Sequence, residues 1–569
     1  MSAGETETEV DFSAFGRGVG NDRCRYAVEV GPDVAFYGPP GTGKTTTLMR
    51  VLEQELRSGV DPHRVAGATY TTAMAGELAD RAEEVVGEID RERSWFRTTH
   101  SAAFRLLGLS KDHVMHAGRV NTFAEANGYE GTVGEAPEAP SPWVGALGSS
   151  STLVQNLLAA RSYCLNAGLD PRAEWRHATP ALSFADLTSL TDENVERFND
   201  EYEAWKDERG FYDYDDMLLE VVRRGLVPDV DVLIEDEFQD KTPLQVEVYN
   251  TWAEHIPTVY VAGDPYQAIY TFSGADPSFF QDAFRMAERS ELLDVSYRLG
   301  PDLVDVARRT LRGGGYTLPE IQPTGEASVR SLSWDEYARR VHEHAEDDTF
   351  HLYRSSYGAK KVSHVLDHAG IPWQADGYRW GPKQVAQYNG VAKAARAIES
   401  AATLTAPDFS GLTEDETVSL LEVLPAKALR RPKGASVEHV ERGEWSLAEC
   451  LDIGTAAGVL GRANPFRYHG DGLSLTASAL PYQDRLARAY EARDGEPLTA
   501  ESFTHSLSTI HAAKGKEADV VFLLRATNKY FKNQPRAEEA RVWYVGATRA
   551  RETLYIVDCP WATYTTRML

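Results

Sequence analysis

The sequence predicts an α/β fold with two parallel-sheet units, each interrupted by a mostly helical insertion. Three observations predict it. Short apolar runs alternate with helical patterns: a strand at Val34–Tyr37, a helix from Thr45 to about Leu56, a strand at Arg64–Thr69, a helix at Met74–Val86. Strand-like runs return at Val232–Ile234 and Thr258–Ala262, and a second set follows at Leu292–Val295, Phe350–Tyr353 and Asp519–Leu524, which reads as a second sheet. Between these sets, residues 110–205 and about 380–500 carry Pro, Gly and Ser clusters and helical stretches without clear buried strands.

The 569 residues suffice for about three to five domains. Hydrophobic residues at 42% and charged residues at 25% are ordinary for a globular chain and exclude a disordered or fibrous one. No apolar run is long enough to span a bilayer, and the acidic start MSAGETETEV is no secretory signal. The four cysteines are far apart, which excludes a disulfide framework or a CxxC metal site. A soluble cytoplasmic protein is expected. The net charge is −27, with 86 acidic against 59 basic residues, and a sequence count gives only 14 Lys among the basic ones. Such a balance repels polyanions at long range. It also suits a very salty cytoplasm, where the Debye length shrinks to about 3 Å and local contacts decide binding. The halophile reading is the favoured one.

Gly38-Pro39-Pro40-Gly41-Thr42-Gly43-Lys44-Thr45 matches GxxxxGK[ST] without a gap, between a strand and a helix. A chance match in a chain this long has a probability of about 0.02 from average residue usage. At that place backbone N–H groups face phosphate oxygens and the helix dipole favours anions. Lys44 would reach the β- and γ-phosphates, and the Thr45 hydroxyl would ligate Mg²⁺, with Thr46 beside it. The apolar run at 232–234 ends in Glu235-Asp236-Glu237. Asp236 can hold Mg²⁺, and Glu237 can orient and deprotonate the attacking water. Together these features predict an NTPase and leave kinases, transporters, GTPases and motors open.

The following segments narrow that range. VLIEDEFQDKTPLQ (232–245) and VAGDPYQAIYTFSGAD (261–276) resemble motifs II and III of UvrD/Rep-type superfamily 1 DNA helicases. In family order, TYTTAMA (69–75), TTHSAAFRLL (98–107), SYRLGP (296–301), STIHAAKGKEADVV (508–521) and EEARVWYVGATRAR (538–551) resemble further motifs. The resemblance covers both α/β units, about half of the chain, and implies two RecA-like domains. The first comprises 1–109 plus 206–285 and binds ATP; the second comprises 286–380 plus 500–569; the insertions are 110–205 and 381–499. It implies that Gln267 contacts the γ-phosphate or the attacking water. Arg298 and Arg549 would clamp the γ-phosphate with planar guanidinium groups. Tyr297 would stack on adenine and Glu517 would bond the ribose. Tyr70, Tyr270 and Phe272 would stack on bases of a single strand. Thr98, His100, Thr509 and His511 would contact phosphates or sugars. The implied activity is ATP-dependent helicase or translocase movement on single-stranded DNA, 3′ to 5′, acting at single-strand/duplex junctions as a monomer or weak dimer.

The chain also departs from that pattern. No Gln precedes Gln54, so the glutamine that reads adenine upstream of the phosphate loop is missing. Phe272-Ser273-Gly274 stands where the family has Trp-Arg-Gly, Thr72-Ala73 where it has Asn-Lys, and Ser356 where it has Asn. Each change trades charge or hydrogen bonding for a smaller neutral group, and in concentrated salt phosphate–lysine contacts contribute little. The basic run PAKALRRPKGAS (425–436) reads equally as a duplex contact or a solvated loop. The sequence ends soon after a strand-like run at Thr553–Val557, so a C-terminal nuclease domain is not expected. A translocase that strips proteins without unwinding, and a nucleotide-gated DNA-binding adaptor, stay open beside the helicase.

Overall fold

A computed structural model describes residues 27–69, 72–133, 152–182, 187–375, 426–452, 502–528 and 536–569, apart from Thr563 and Arg567, plus a few single positions near 420 and at 492. Tyr70 and much of the basic run's flank lie outside the described residues. Two compact units result: Met1–Ala327 with Asn533–Thr548 and Met568, and Ser328–Lys532 with Arg549–Arg567 and Leu569.

The first unit holds a six-stranded parallel sheet. Its strands are β1 (Val34–Tyr37), β2 (Val65–Thr69), β3 (Trp95–Thr98), β4 (Val232–Glu235), β5 (Thr258–Gly263) and β6 (Arg289–Leu292), in the order β3-β2-β4-β5-β1-β6. Between β1 and β2 runs helix α1 (Lys44–Ser58), which buries Leu48, Met49, Leu52 and Leu56 at helical spacing. Helix α2 (Thr72–Val86) follows β2, and α3 (Thr99–Leu106) follows β3. The sheet's core runs through Phe36, Val65, Phe96, Val232, Ile234 and Ala262. Parallel strands buried on both faces read as continuous apolar runs, which is why β1, β4 and β5 are legible in the sequence. The expectation of a strand at Leu292–Val295 in the second sheet is corrected. Leu292 ends β6, which pairs with β1 in the first sheet, and Val295–Ser296 (β7) pairs instead with Gln322–Pro323 (β8). The two strands are separated by only two residues, and an apolar run cannot show which neighbour each will find.

The insertion within this unit is helical as expected, with α4 (Ala117–Asn127), α5 (Leu153–Asn166) and α6 (Asp192–Asp207). Its core packs Phe123, Phe198 and Tyr202, and Phe272 lies against its edge, partly buried. Buried charges tie it to α7 (Tyr214–Arg224). Lys206 Nζ meets Asp213 at 3.2 Å and Asp216 at 2.5 Å, and Arg161 pairs with Glu203 and, at 3.3 Å, with Asp216. Burial acts to raise the Asp213 carboxyl, but Lys206 and Arg161 outweigh it and hold it low. Asn166 donates to Asp215 at 2.6 Å and accepts from the Thr242 hydroxyl at 3.1 Å, just ahead of α8 (Pro243–Ala253), so the insertion is bonded to the segment that follows β4. Helices α9 (Ser278–Met286) and α10 (Pro301–Gly313) complete the middle of this unit.

The second unit holds another six-stranded parallel sheet: β9 (Ser328–Leu332), β10 (Thr349–Tyr353), β11 (Trp373–Ala375), β12 (His505–Thr509), β13 (Ala518–Leu524) and β14 (Ala550–Val557), ordered β11-β12-β10-β13-β14-β9. Among the described residues no helix is long and apolar enough to cross a membrane.

Two fully buried histidines sit in this second sheet. His505 donates from Nε2 to the His344 carbonyl at 2.9 Å, so its Nδ1 accepts from His351 Nε2 at 2.9 Å. His351 Nδ1 in turn accepts from the Tyr337 hydroxyl at 3.0 Å. This donor order is complete with both rings neutral. Burial lowers both, His505 to about 4 and His351 well below its usual value. The folded state therefore refuses protons that the unfolded chain accepts below about 6.5. Stability should be level above that pH and fall as pH drops from about 6.5 toward about 4, by roughly 3 kcal/mol for His505 alone. Urea unfolding of the second unit across this range checks it. A slope no steeper than that of the His351→Leu/His505→Leu variant contradicts it.

Candidate functional site

The C-terminal end of β1 runs directly into the glycine-rich loop, and α1 begins at Lys44. Gly41 adopts φ 74°, a region that costs other residues of order 1–3 kcal/mol. A Cβ there would also lie 2.5 Å from Arg298 Cβ. Thr42 Oγ1 donates to the Pro39 carbonyl at 2.8 Å, closing the turn. Lys44 Nζ donates to the Gly38 carbonyl at 2.8 Å, so the ammonium lies over the loop. Gly43 ends the turn in the left-handed region, leaving the first N–H groups of α1, including those of Thr45 and Thr46, beyond it.

The end of β4 lies opposite. Asp236 Oδ2 accepts from the Thr45 hydroxyl at 3.3 Å, and Asp236 Oδ1 accepts from the Glu237 backbone N–H at 2.7 Å. Burial, and then the neighbouring charge of Glu237, push the Asp236 carboxyl up to about 7. A buried carboxylate short of positive charge beside a hydroxyl is the donor set that a hard divalent cation takes. Glu237 is the one non-glycine among the described residues with positive φ, at 52°. Gln239, fully buried, donates from Nε2 to Glu237 Oε2 at 2.5 Å, while its Oε1 accepts from the Asp264 N–H at 2.9 Å.

The end of β5 supplies the third side. Gln267 Nε2 donates to Asp264 Oδ2 at 2.8 Å, and Tyr544 on α11 (Arg536–Ala547) donates to the same oxygen at 3.3 Å. Burial raises the Asp264 carboxyl against the pull of Lys44 and the Gln267 amide. Arg541 on α11 donates from Nε to the Ala268 carbonyl at 2.7 Å and bonds the Tyr316 hydroxyl. The segment at β7 grips the glycine loop from outside. Ser296 Oγ donates to the Pro40 carbonyl at 2.9 Å, and the Tyr297 N–H donates to the Gly41 carbonyl at 2.8 Å. The Tyr297 ring is 72% exposed beside the loop, and Arg298 donates to the Thr548 carbonyl at 3.2 Å.

The structure thus brings together Gly38 to Thr46, Asp236, Glu237, Gln267, Tyr297 and Arg298. Tyr270 and Phe272 meet edge to face at 6.1 Å in the turn after Gln267. Thr98 caps α3, its Oγ1 accepting from the Ser101 N–H at 3.3 Å. The His100 ring lies across Tyr214, and burial, aided by the charge of Lys241, lowers it to about 4, so it is neutral near pH 7. In the second unit, Arg549 is buried and donates to the Lys516 carbonyl at 3.3 Å, Glu517 pairs with Arg551 at 3.7 Å, and Thr509 Oγ1 accepts from the Ala512 N–H at 3.1 Å. His511 follows on the same turn, half-buried. Sequence reasoning missed Gln239, Asp264, Ser296, Arg541 and Tyr544. All five lie inside the quoted motifs, but only contacts distinguish them from their neighbours.

Comparison with known proteins matches residues 23–287 to the N-terminal domain of UvrD/REP helicases and residues 500–560 to the UvrD-like helicase C-terminal domain. Together these cover more than half of the chain. The ATP-dependent DNA helicase UvrD2 of Mycobacterium tuberculosis (strain ATCC 25618 / H37Rv) is 25% identical over 93% of this chain and 77% of its own length. The ATP-dependent DNA helicase srs2 of Schizosaccharomyces pombe is 22% identical over 91% of this chain and 69% of its own. PcrA of Staphylococcus epidermidis is 20% identical, over 93% and 81% respectively. The salt-adapted reading of the acidic balance gains no support from these matches.

Replacing Gly41 with Val combines the backbone strain with the collision at Arg298. Affinity for a fluorescent ATP analogue should fall about tenfold or more; unchanged affinity in equilibrium titration contradicts the loop geometry.

Proposed function

We propose, from the premise that this chain belongs to the UvrD/Rep helicase family, that it moves 3′ to 5′ along single-stranded DNA and unwinds duplex at junctions. The chain is an ATP-hydrolysing enzyme that acts on DNA. The observation that carries the residue assignments is the meeting of Thr45, Asp236 and Glu237 beneath a glycine loop that Arg298 closes from outside.

In this reading the loop N–H groups and Lys44 bind the β- and γ-phosphates, replacing the Gly38 carbonyl as the partner of Lys44. Thr45 and Asp236 would hold Mg²⁺, which when bound neutralises charge developing on the phosphate oxygens. Glu237 orients the attacking water and takes its proton. Gln267 contacts the γ-phosphate or that water. Arg298 binds the γ-phosphate, and Arg549, carried by the second unit, joins it when nucleotide is present, so that hydrolysis drives rearrangement of the units. Tyr297, exposed beside the loop, stacks on the base, and Glu517 meets the ribose. No glutamine lies upstream to read the base, so discrimination among purine triphosphates should be weak.

Tyr270, Phe272 and Tyr70 are proposed as base-stacking groups, with Thr98, His100, Thr509 and His511 on the sugar–phosphate backbone. Phe272 follows Gln267 by five residues, so strand occupancy and phosphate contact share one turn. The insertions at 110–205 and 381–499, the second lying mostly outside the described residues, are proposed to flank the strand and the duplex.

Glu237→Gln should lower DNA-stimulated turnover about 100-fold or more, the range a positioned base contributes. Phe272→Ala should raise the single-strand concentration for half-maximal stimulation about tenfold, from loss of one stacked base. Steady-state assays on both variants, with unwinding of duplexes bearing a 3′ or a 5′ tail, test the reading. Preference for a 5′ tail refutes the polarity, and strand movement without separation refutes unwinding.

A further inference from the structure

Gln239 makes no contact that the proposed chemistry requires, yet it is fully buried at the centre of the site. Its amide orientation is fixed. Oε1 accepts from the backbone N–H of Asp264, so Nε2 must face the carboxylate of Glu237. The space it occupies exists only because residue 263 is glycine. A Cβ there would lie 2.6 Å from Gln239 Oε1 and 2.7 Å from the Phe280 ring. Glu237 has its backbone in the left-handed region, an arrangement that surrounding contacts must hold. Asp264, on the other side of the amide, carries Gln267 and Tyr544 on one carboxylate oxygen. One side chain therefore links the end of β4 to the turn after β5.

We infer that Gln239 is a positioning residue: it aims the Glu237 carboxylate at the attacking water and ties that aim to the Asp264–Gln267 turn, which leads into Tyr270 and Phe272. Strand binding at those aromatics would then reach the water-activating group through one amide. The inference rests on the proposed role of Glu237. The carboxylate has oxygens that could turn in several directions, and a donor held on a rigid partner favours one of them.

Two substitutions separate positioning from packing. Gln239→Glu keeps the shape and the bond from the Asp264 N–H, but it replaces the donor to Glu237 with a second carboxylate. Gln239→Met keeps the volume and removes these two bonds together with the long one, 3.5 Å, that Nε2 donates to Asp240 Oδ2. A positioning role predicts that Gln239→Glu is the worse variant. With saturating single strand its kcat falls about 30-fold or more, and that of Gln239→Met about tenfold. In both, KM for ATP and single-strand affinity measured with a nonhydrolysable ATP analogue stay within about threefold. A packing role predicts the reverse order, because the glutamate is isosteric. A kcat for Gln239→Glu within about threefold of the parent overturns the inference. If the buried second carboxylate prevents folding, Gln239→Met decides alone by the same threshold. Glu237→Gln is measured alongside. Substantial turnover in that variant removes the role of Glu237 and this inference with it, whereas an inactive Glu237→Gln beside an active Gln239→Glu removes only the inference.

Discussion

A parallel sheet delivers the ends of its strands to one edge, and the order β4-β5-β1 sets three such ends side by side. The positions of Lys44, Thr45, Asp236, Glu237, Asp264 and Gln267 depend on that constraint. Thr45 and Asp236 are 191 positions apart in sequence yet share a hydrogen bond at 3.3 Å, because α1 starts where β1 stops and β4 stops two strands away. Gln267 and Asp264 fill the interval from β5. Moving β4 one place further from β1 would draw its carboxylates away from the phosphate loop by about one strand spacing of 4.8 Å. The loops carry the chemistry, and the buried apolar strands hold their ends in place.

Charge inside this site is arranged unevenly. Carboxylates crowd one side, with Asp236 raised by burial and by Glu237, and Asp264 raised by burial. Lys44 acts on both as the nearby cation. Such an arrangement is costly until a nucleotide with its counterion completes it. The helical insertion holds a second buried cluster, where Lys206 and Arg161 meet Asp213, Asp216 and Glu203, and where burial and the charge of Asp213 push the Asp216 carboxyl up to about 7. That cluster joins the insertion to α7, and Asn166 accepts from the Thr242 hydroxyl near the site.

Legibility followed burial. The strands β1, β4, β5, β10 and β13 are mostly buried and rich in apolar and aromatic residues, and the sequence shows them to within a residue or two. By contrast, β3 (Trp95–Thr98) and β9 (Ser328–Leu332) carry polar residues, and their strand character comes from pairing. The segment around Leu292 was assigned to the wrong sheet because two short strands with different partners adjoin there. Within the site, Lys44, Asp236 and Glu237 stand out in the sequence by type and spacing, and the structure sets them at neighbouring strand ends. Gln239, Ser296 and Tyr544 do not, since a glutamine, a serine or a tyrosine has many uses and only its partners reveal which. The paired histidines His351 and His505 were invisible for the same reason: 154 positions separate them, and only adjacent strands bring the rings together.

The account turns on Asp236 and Thr45 forming the seat of the cation that accompanies ATP. Calorimetric titration of a nonhydrolysable ATP analogue, with and without magnesium, into the parent chain and Asp236→Asn measures this directly. Magnesium should tighten binding to the parent about tenfold or more and leave the variant almost unaffected. An equal gain from magnesium in both proteins would contradict the account.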